Sequence, residues 1–210
     1  MSSSAIGCLY LHGFLSSPQS QKAQQLLRFY ADHLTPEQLA LPTLPFAPAE
    51  AIALARAELK RLQQRFAQVF IIGSSLGGFY ATHLAESEGV PAVLVNPAVR
   101  PFDLFEHYLG PNTHYYSGEV HELTHAHIAQ LRALDCAQIH HPERLLLLLQ
   151  TADETLDYRL AAALYQRCPA WLEGGGNHSF EHFIERMPMV LAFAERTSRS
   201  ETAEISQSDI

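Results

Sequence analysis

The sequence predicts an α/β fold: a mostly parallel sheet of roughly six strands, helices on both faces, and one helical insertion. Three observations carry this. Short apolar runs alternate with segments of helical periodicity along the chain, the pattern of βαβ units with right-handed crossovers. The apolar runs are nearly continuous, as expected of strands covered on both faces. His12, Ser75, Asn96, Asp153 and His178 each follow such a run closely, and parallel sheets hold their sites at the carboxyl ends of the strands.

Each element has its own signal. Ile6 to Leu11 is a short apolar strand bounded by His12-Gly13. Ser20 is placed to cap a helix whose apolar face is Ala23, Leu26, Leu27, Tyr30 and Ala31. Leu39 to Leu44 is a weak strand, and Pro42 assigns it to the sheet edge. Pro48 opens the next helix, lined by Ile52, Ala55, Leu59, Leu62 and Phe66. A strand then runs into Gly73-Ser74-Ser75-Leu76-Gly77, and a helix begins at once, ending at Gly89. Pro91 to Asn96, Arg144 to Gln150 and Ala170 to Leu172 are further strands. Thr155 is the expected cap of a helix after the second of these, and Pro188 is expected to divide the last helix.

Residues 97–143 are too long for a plain crossover. A helix around Thr124 to Leu134 and the Tyr115-Tyr116 pair suggest a lid over the sheet's reactive edge. Phe14, Leu15, Phe102, Phe105, Tyr115 and Tyr116 are either an acyl pocket or simple core. The expected organisation is a single domain over 1–196 and a disordered polar tail over 197–210.

Composition narrows the function. A net charge of −8 argues against nucleic acid, which needs a basic surface, and weakly against anionic membranes. Cys8, Cys136 and Cys168 fit neither a disulfide framework nor a zinc site. The start of the chain lacks a basic, apolar leader, and the leucine run 145–149 is too short to cross a bilayer, so a cytoplasmic location is expected.

Gly-x-Ser-x-Gly between a strand and a helix is the pattern of a nucleophile elbow. Serine needs a base, and the base an orienting acid. Asp153 and His178 follow in the required order, each directly after a strand. Ser75 is then the nucleophile, His178 the general base and acid, and Asp153 its orienting partner. Glu154 and Asp157 compete for the acid position, and His182 for the histidine. Ser74 lacks the elbow spacing. The backbone N–H groups of Leu76 and Phe14 are the candidate oxyanion donors, with His12 holding the Phe14 loop.

His121-Glu122-Leu123-Thr124-His125 matches the H-E-x-x-H zinc pattern, within a region holding seven of the twelve histidines. Thr124 reads as a helix start, which would leave His121 outside the helix, and no suitably spaced third ligand follows. Metal catalysis is therefore not expected.

Tyr10-Leu11-His12-Gly13-Phe14, the Ser75 elbow, Asn96-Pro97-Ala98-Val99-Arg100-Pro101-Phe102, Asp153 to Arg159 and Gly175-Gly176-Asn177-His178 together resemble the α/β-hydrolase superfamily. They look most like its compact bacterial YqiA-like esterases. The resemblance spans about Ile6 to Arg196 and implies a serine carboxylesterase or thioesterase acting on a small acyl substrate, without a cofactor. It implies about six strands in place of eight. Ala152 stands where the family segment suggests Gly. A carbon–carbon bond hydrolase and a non-enzymatic binding protein are the alternatives.

Overall fold

The computed structural model describes residues 5–208, with side chains described through Thr197. Six strands form one sheet: β1 (Ile6–Leu11), β2 (Leu39–Ala40), β3 (Gln68–Ser74), β4 (Ala92–Val95), then β7 (Leu145–Gln150) and β8 (Ala170–Glu173). Their order is β2-β1-β3-β4-β7-β8, and every pairing is parallel. Two further strands, β5 (Gly110–Thr113) and β6 (Val120–Leu123), form a separate antiparallel hairpin.

Strand periodicity divides the core into two layers. Leu9, Leu11, Ile71, Leu94, Leu145, Leu147 and Leu149 point to one face. There they meet α2 (Pro48–Arg65) and α3 (Leu76–Glu88). Ile6, Cys8, Tyr10, Phe70, Ile72, Val93, Val95, Leu146 and Leu148 point to the other. They pack on α1 (Gln21–His33) and α7 (Met187–Ser208). A run of five leucines is thus consumed alternately by two helical layers. Burial of this order contributes roughly 1.5–3 kcal/mol for each large apolar side chain.

Several boundaries differ from expectation. β2 is two residues long, because the chain beyond Ala40 forms no further pairing with β1. Ser20 occupies the N-cap of α1, but its hydroxyl makes no capping bond. α6 (Tyr158–Leu164) starts after Asp157, whose carboxylate accepts the Arg159 N–H; Thr155 is not its cap. Pro188 divides the last helical stretch as expected: a 3₁₀ turn over Phe183–Arg186 ends directly before α7, in which Pro188 is the second residue, where a missing N–H costs nothing. No Gly or Pro follows before Ser208, and the backbone stays helical past 197, where an irregular tail was expected.

The stretch 97–143 holds α4 (Pro101–Phe105), the hairpin and α5 (His125–Arg132). Thr124 caps α5 as foreseen, whereas the hairpin was not foreseen. Leu123, Ile128 and Leu131 anchor the insertion in the first core layer. The Tyr115 N–H donates to the Leu15 carbonyl at 3.1 Å, tying the hairpin turn to the loop after β1. Among the described residues, no helix is long and apolar enough to cross a membrane.

Candidate active site

The tight turn at Ser75 follows from its neighbours. Ser75 has φ 56° and ψ −122°, a conformation that L-residues rarely adopt. Its N–H donates to the Val95 carbonyl, and its own carbonyl accepts from the Gly78 and Ala98 N–H groups. A Cβ on Gly77 would collide with the Leu11 and His12 carbonyls, and one on Gly78 would stand 2.7 Å from Pro97 Cβ. Only glycine lets α3 begin this close to the sheet.

Gly13 approaches from the other side. A Cβ there would lie 3.1 Å from Ser75 Cβ and 3.5 Å from Ser75 Oγ. The loop is held by His12, a buried ring whose Nε2 accepts the Leu44 N–H, leaving Nδ1–H to donate to the Gly13 carbonyl. Burial lowers the His12 pKa, consistent with this neutral form. Among the described residues, the Phe14 and Leu76 N–H groups make no backbone hydrogen bond.

Asp153 and His178 meet directly. His178 Nδ1–H donates to Asp153 Oδ2 at 2.8 Å, with Oδ1 at 3.0 Å. The Asp153 side chain is 2% exposed. Burial alone would raise its pKa, but hydrogen bonds from His178 and from the Leu156 and Thr155 N–H groups outweigh this, and the net shift is downward. With Nδ1 donating, His178 Nε2 is the acceptor nitrogen. The rivals are engaged elsewhere. Glu154 accepts the His178 backbone N–H at 2.9 Å. Asp157 pairs with Arg159, and exposed His182 lies 3.2 Å from Glu185.

Two buried residues fix the histidine loop. Asn96 Nδ2 donates to the carbonyls of Asn177 and His178, while its Oδ1 accepts the Gln150 N–H. Gln150 Oε1 accepts from the Asn177 and Glu181 N–H groups, and its Nε2 donates to Glu173 and to the Glu181 carbonyl. Asn96 stands at the sheet edge in the sequence with no role evident there, and nothing in the expected site includes Gln150. A polar residue ending an otherwise apolar strand was the available signal.

Ser75 and His178 line one cavity of about 900 Å³, with Gly13, Phe14 and Leu76 beside Ser75. Phe105, Tyr108, Tyr115 and Tyr116 of the insertion form its far wall. Phe102 is core, at 2% exposure. The zinc pattern is not realised as a helix: His121 lies in β6, stacked on Phe46 at 4.7 Å, and His125 begins α5.

The six-stranded parallel sheet covered by helices on both faces, with a serine on a strained strand-to-helix turn after β3, is an α/β-hydrolase fold. Within it, the chain belongs to the uncharacterised protein family UPF0227, whose model matches residues 7–195. Solved structures agree on the fold. A protein of Agrobacterium vitis S4 described as a hydrolase aligns with TM-score 0.68 at 20% identity, covering 90% of this chain and 88% of its own. One structure described under LipS and LipT, two metagenome-derived lipolytic enzymes, gives 0.64 at 20% identity, covering 92% of this chain and 94% of its own. Est1E of Butyrivibrio proteoclasticus, bound to ferulic acid, gives 0.61 at 14% identity, covering 96% and 89%.

Proposed function

We propose that this protein is a serine hydrolase cleaving carboxylic esters or acyl thioesters. The observation that carries the reading is the 2.8 Å Asp153–His178 hydrogen bond, presented to the cavity that the strained Ser75 also lines. Similar folds among esterases and lipolytic enzymes support it.

In this reading, Ser75 Oγ attacks the acyl carbonyl as His178 Nε2 takes its proton. The C–O or C–S bond breaks, and the proton passes to the leaving group. Water, deprotonated by His178, then releases the acid from the acyl-enzyme. Asp153 holds the imidazole tautomer and stabilises the imidazolium. The Leu76 and Phe14 N–H groups receive the oxyanion, each contributing roughly 3 kcal/mol. Residues 97–143 act as the lid that sets substrate size, and the aromatic wall suits an acyl chain.

The test is hydrolysis of para-nitrophenyl esters and acyl thioesters of graded length, with fluorophosphonate labelling. Wild type is expected to turn over and to be labelled at Ser75. Ser75→Ala is expected to do neither. Full activity in Ser75→Ala removes the mechanism, and turnover of diketones but not esters would favour carbon–carbon bond cleavage.

A further inference from the structure

Lys22 is the unusual residue of the cavity. It lies on the buried stripe of α1, at helical spacing from Leu26 and Tyr30, and is only 7% exposed. Its Nζ donates to Ser74 Oγ at 2.8 Å and sits 5.7 Å from the Phe183 ring centre. It is the one lysine or arginine lining this cavity among the described residues. No carboxylate pairs with it there. Asp153 is near enough to favour its charge, but the Asp153 oxygens already accept from His178, Thr155 and Leu156. Glu181 accepts from Asn177, and Glu185 faces His182.

A second, separate observation points the same way. Ser20 Oγ is buried, makes no capping bond to its helix, and belongs to a residue lining the same cavity; its polar neighbour is the Tyr10 hydroxyl, which also reaches Ser74. It stands at the N-terminus of α1, where first-turn N–H groups lack intrahelical partners and the helix dipole is positive. Anchoring Ser74 alone would need only a neutral donor. A buried ammonium with spare donors and no carboxylate partner, in a cavity that Ser20 and Tyr10 also line, matches an anion.

Resting on the hydrolase reading above, we propose that Lys22 and Ser20 form an anion subsite, and that the preferred substrate is an ester or thioester carrying a carboxylate a few bonds from the scissile carbonyl. The short reach follows from Lys22 being hydrogen-bonded to the residue that immediately precedes Ser75. Burial pushes the Lys22 pKa down to about 7, and a bound carboxylate would restore its charge.

The experiment compares kcat/KM for the para-nitrophenyl monoester of glutaric acid with that for para-nitrophenyl hexanoate at pH 6.5. Wild type is expected to favour the anionic ester. That preference should fall about tenfold or more in Lys22→Met and largely survive in Lys22→Arg. If Lys22→Met does not accumulate, Lys22→Gln, which keeps a donor for Ser74, takes its place. In parallel, glutarate should raise the melting temperature of Ser75→Ala but not of Ser75→Ala/Lys22→Met. A wild-type preference for the neutral ester, or a ratio indifferent to Lys22, overturns the subsite while leaving the hydrolase reading intact. Glutarate binding that depends on Lys22, without turnover of either ester, has the opposite meaning.

Discussion

Replacing Ser75 by glycine should stabilise the fold while ending catalysis. At φ 56° and ψ −122°, Ser75 is strained, and such conformations cost roughly 1–3 kcal/mol in non-glycine residues. Glycine removes that strain but gives up about 0.5–1 kcal/mol through its freer unfolded chain. Ser75→Ala keeps the strain and loses no capping bond, since the Ser75 hydroxyl makes none. Ser75→Gly should therefore exceed Ser75→Ala by about 1 kcal/mol, or roughly 2–4 °C in Tm for a chain of this size. Ala57→Gly, on the exposed side of α2, is the control: the same chemical change should cost about 1 kcal/mol there. Urea unfolding with unchanged m-values measures all three. Ser75→Gly no more stable than Ser75→Ala, with the control behaving normally, would refute the claim of stored backbone strain.

Other outcomes follow from the loop contacts. Asn96→Ala strands the Gln150 N–H and removes a donor from two carbonyls; it should cost about 2–3 kcal/mol in urea unfolding and lower kcat more than it raises KM. Asp153→Asn should lower kcat on the order of 10³–10⁴-fold with the fold retained by circular dichroism, because the His178 tautomer is no longer fixed. Lys22 binds its proton more weakly folded than unfolded, with a folded pKa of about 7 against an ordinary 10.5. Between these values the unfolded chain holds more protons, so stability should rise with pH above 7. The slope is on the order of 1 kcal/mol per pH unit. In Lys22→Met that component should vanish, as chemical denaturation between pH 7 and 9 would show.

The sheet was legible because its strands are nearly pure apolar runs, and Ser75, Asp153 and His178 stood out as candidates because each follows such a run within a few residues. What escaped depends on neighbours distant in sequence. The hairpin strands are rich in Gly, Pro, Asn and charged residues, which carry little strand propensity. The start of α6 shifted because the Asp153 carboxylate engages the Thr155 and Leu156 N–H groups, holding that turn outside the helix. Lys22 escaped as well, because what sets it apart is its contact with Ser74, which lies 52 positions away.

The sheet order also bears on how the molecule comes together. Among the described residues, β8 is an edge strand paired only with β7, and it is the last strand in sequence. The loop bearing His178 leaves its end and is fastened by Gln150 and Asn96 at the tips of β7 and β4. A growing or refolding chain can therefore build β1, β3 and β4 around the serine turn while the histidine is still unplaced. Under the hydrolase reading, recovered activity would time the docking of this final edge, lagging signals from the central strands.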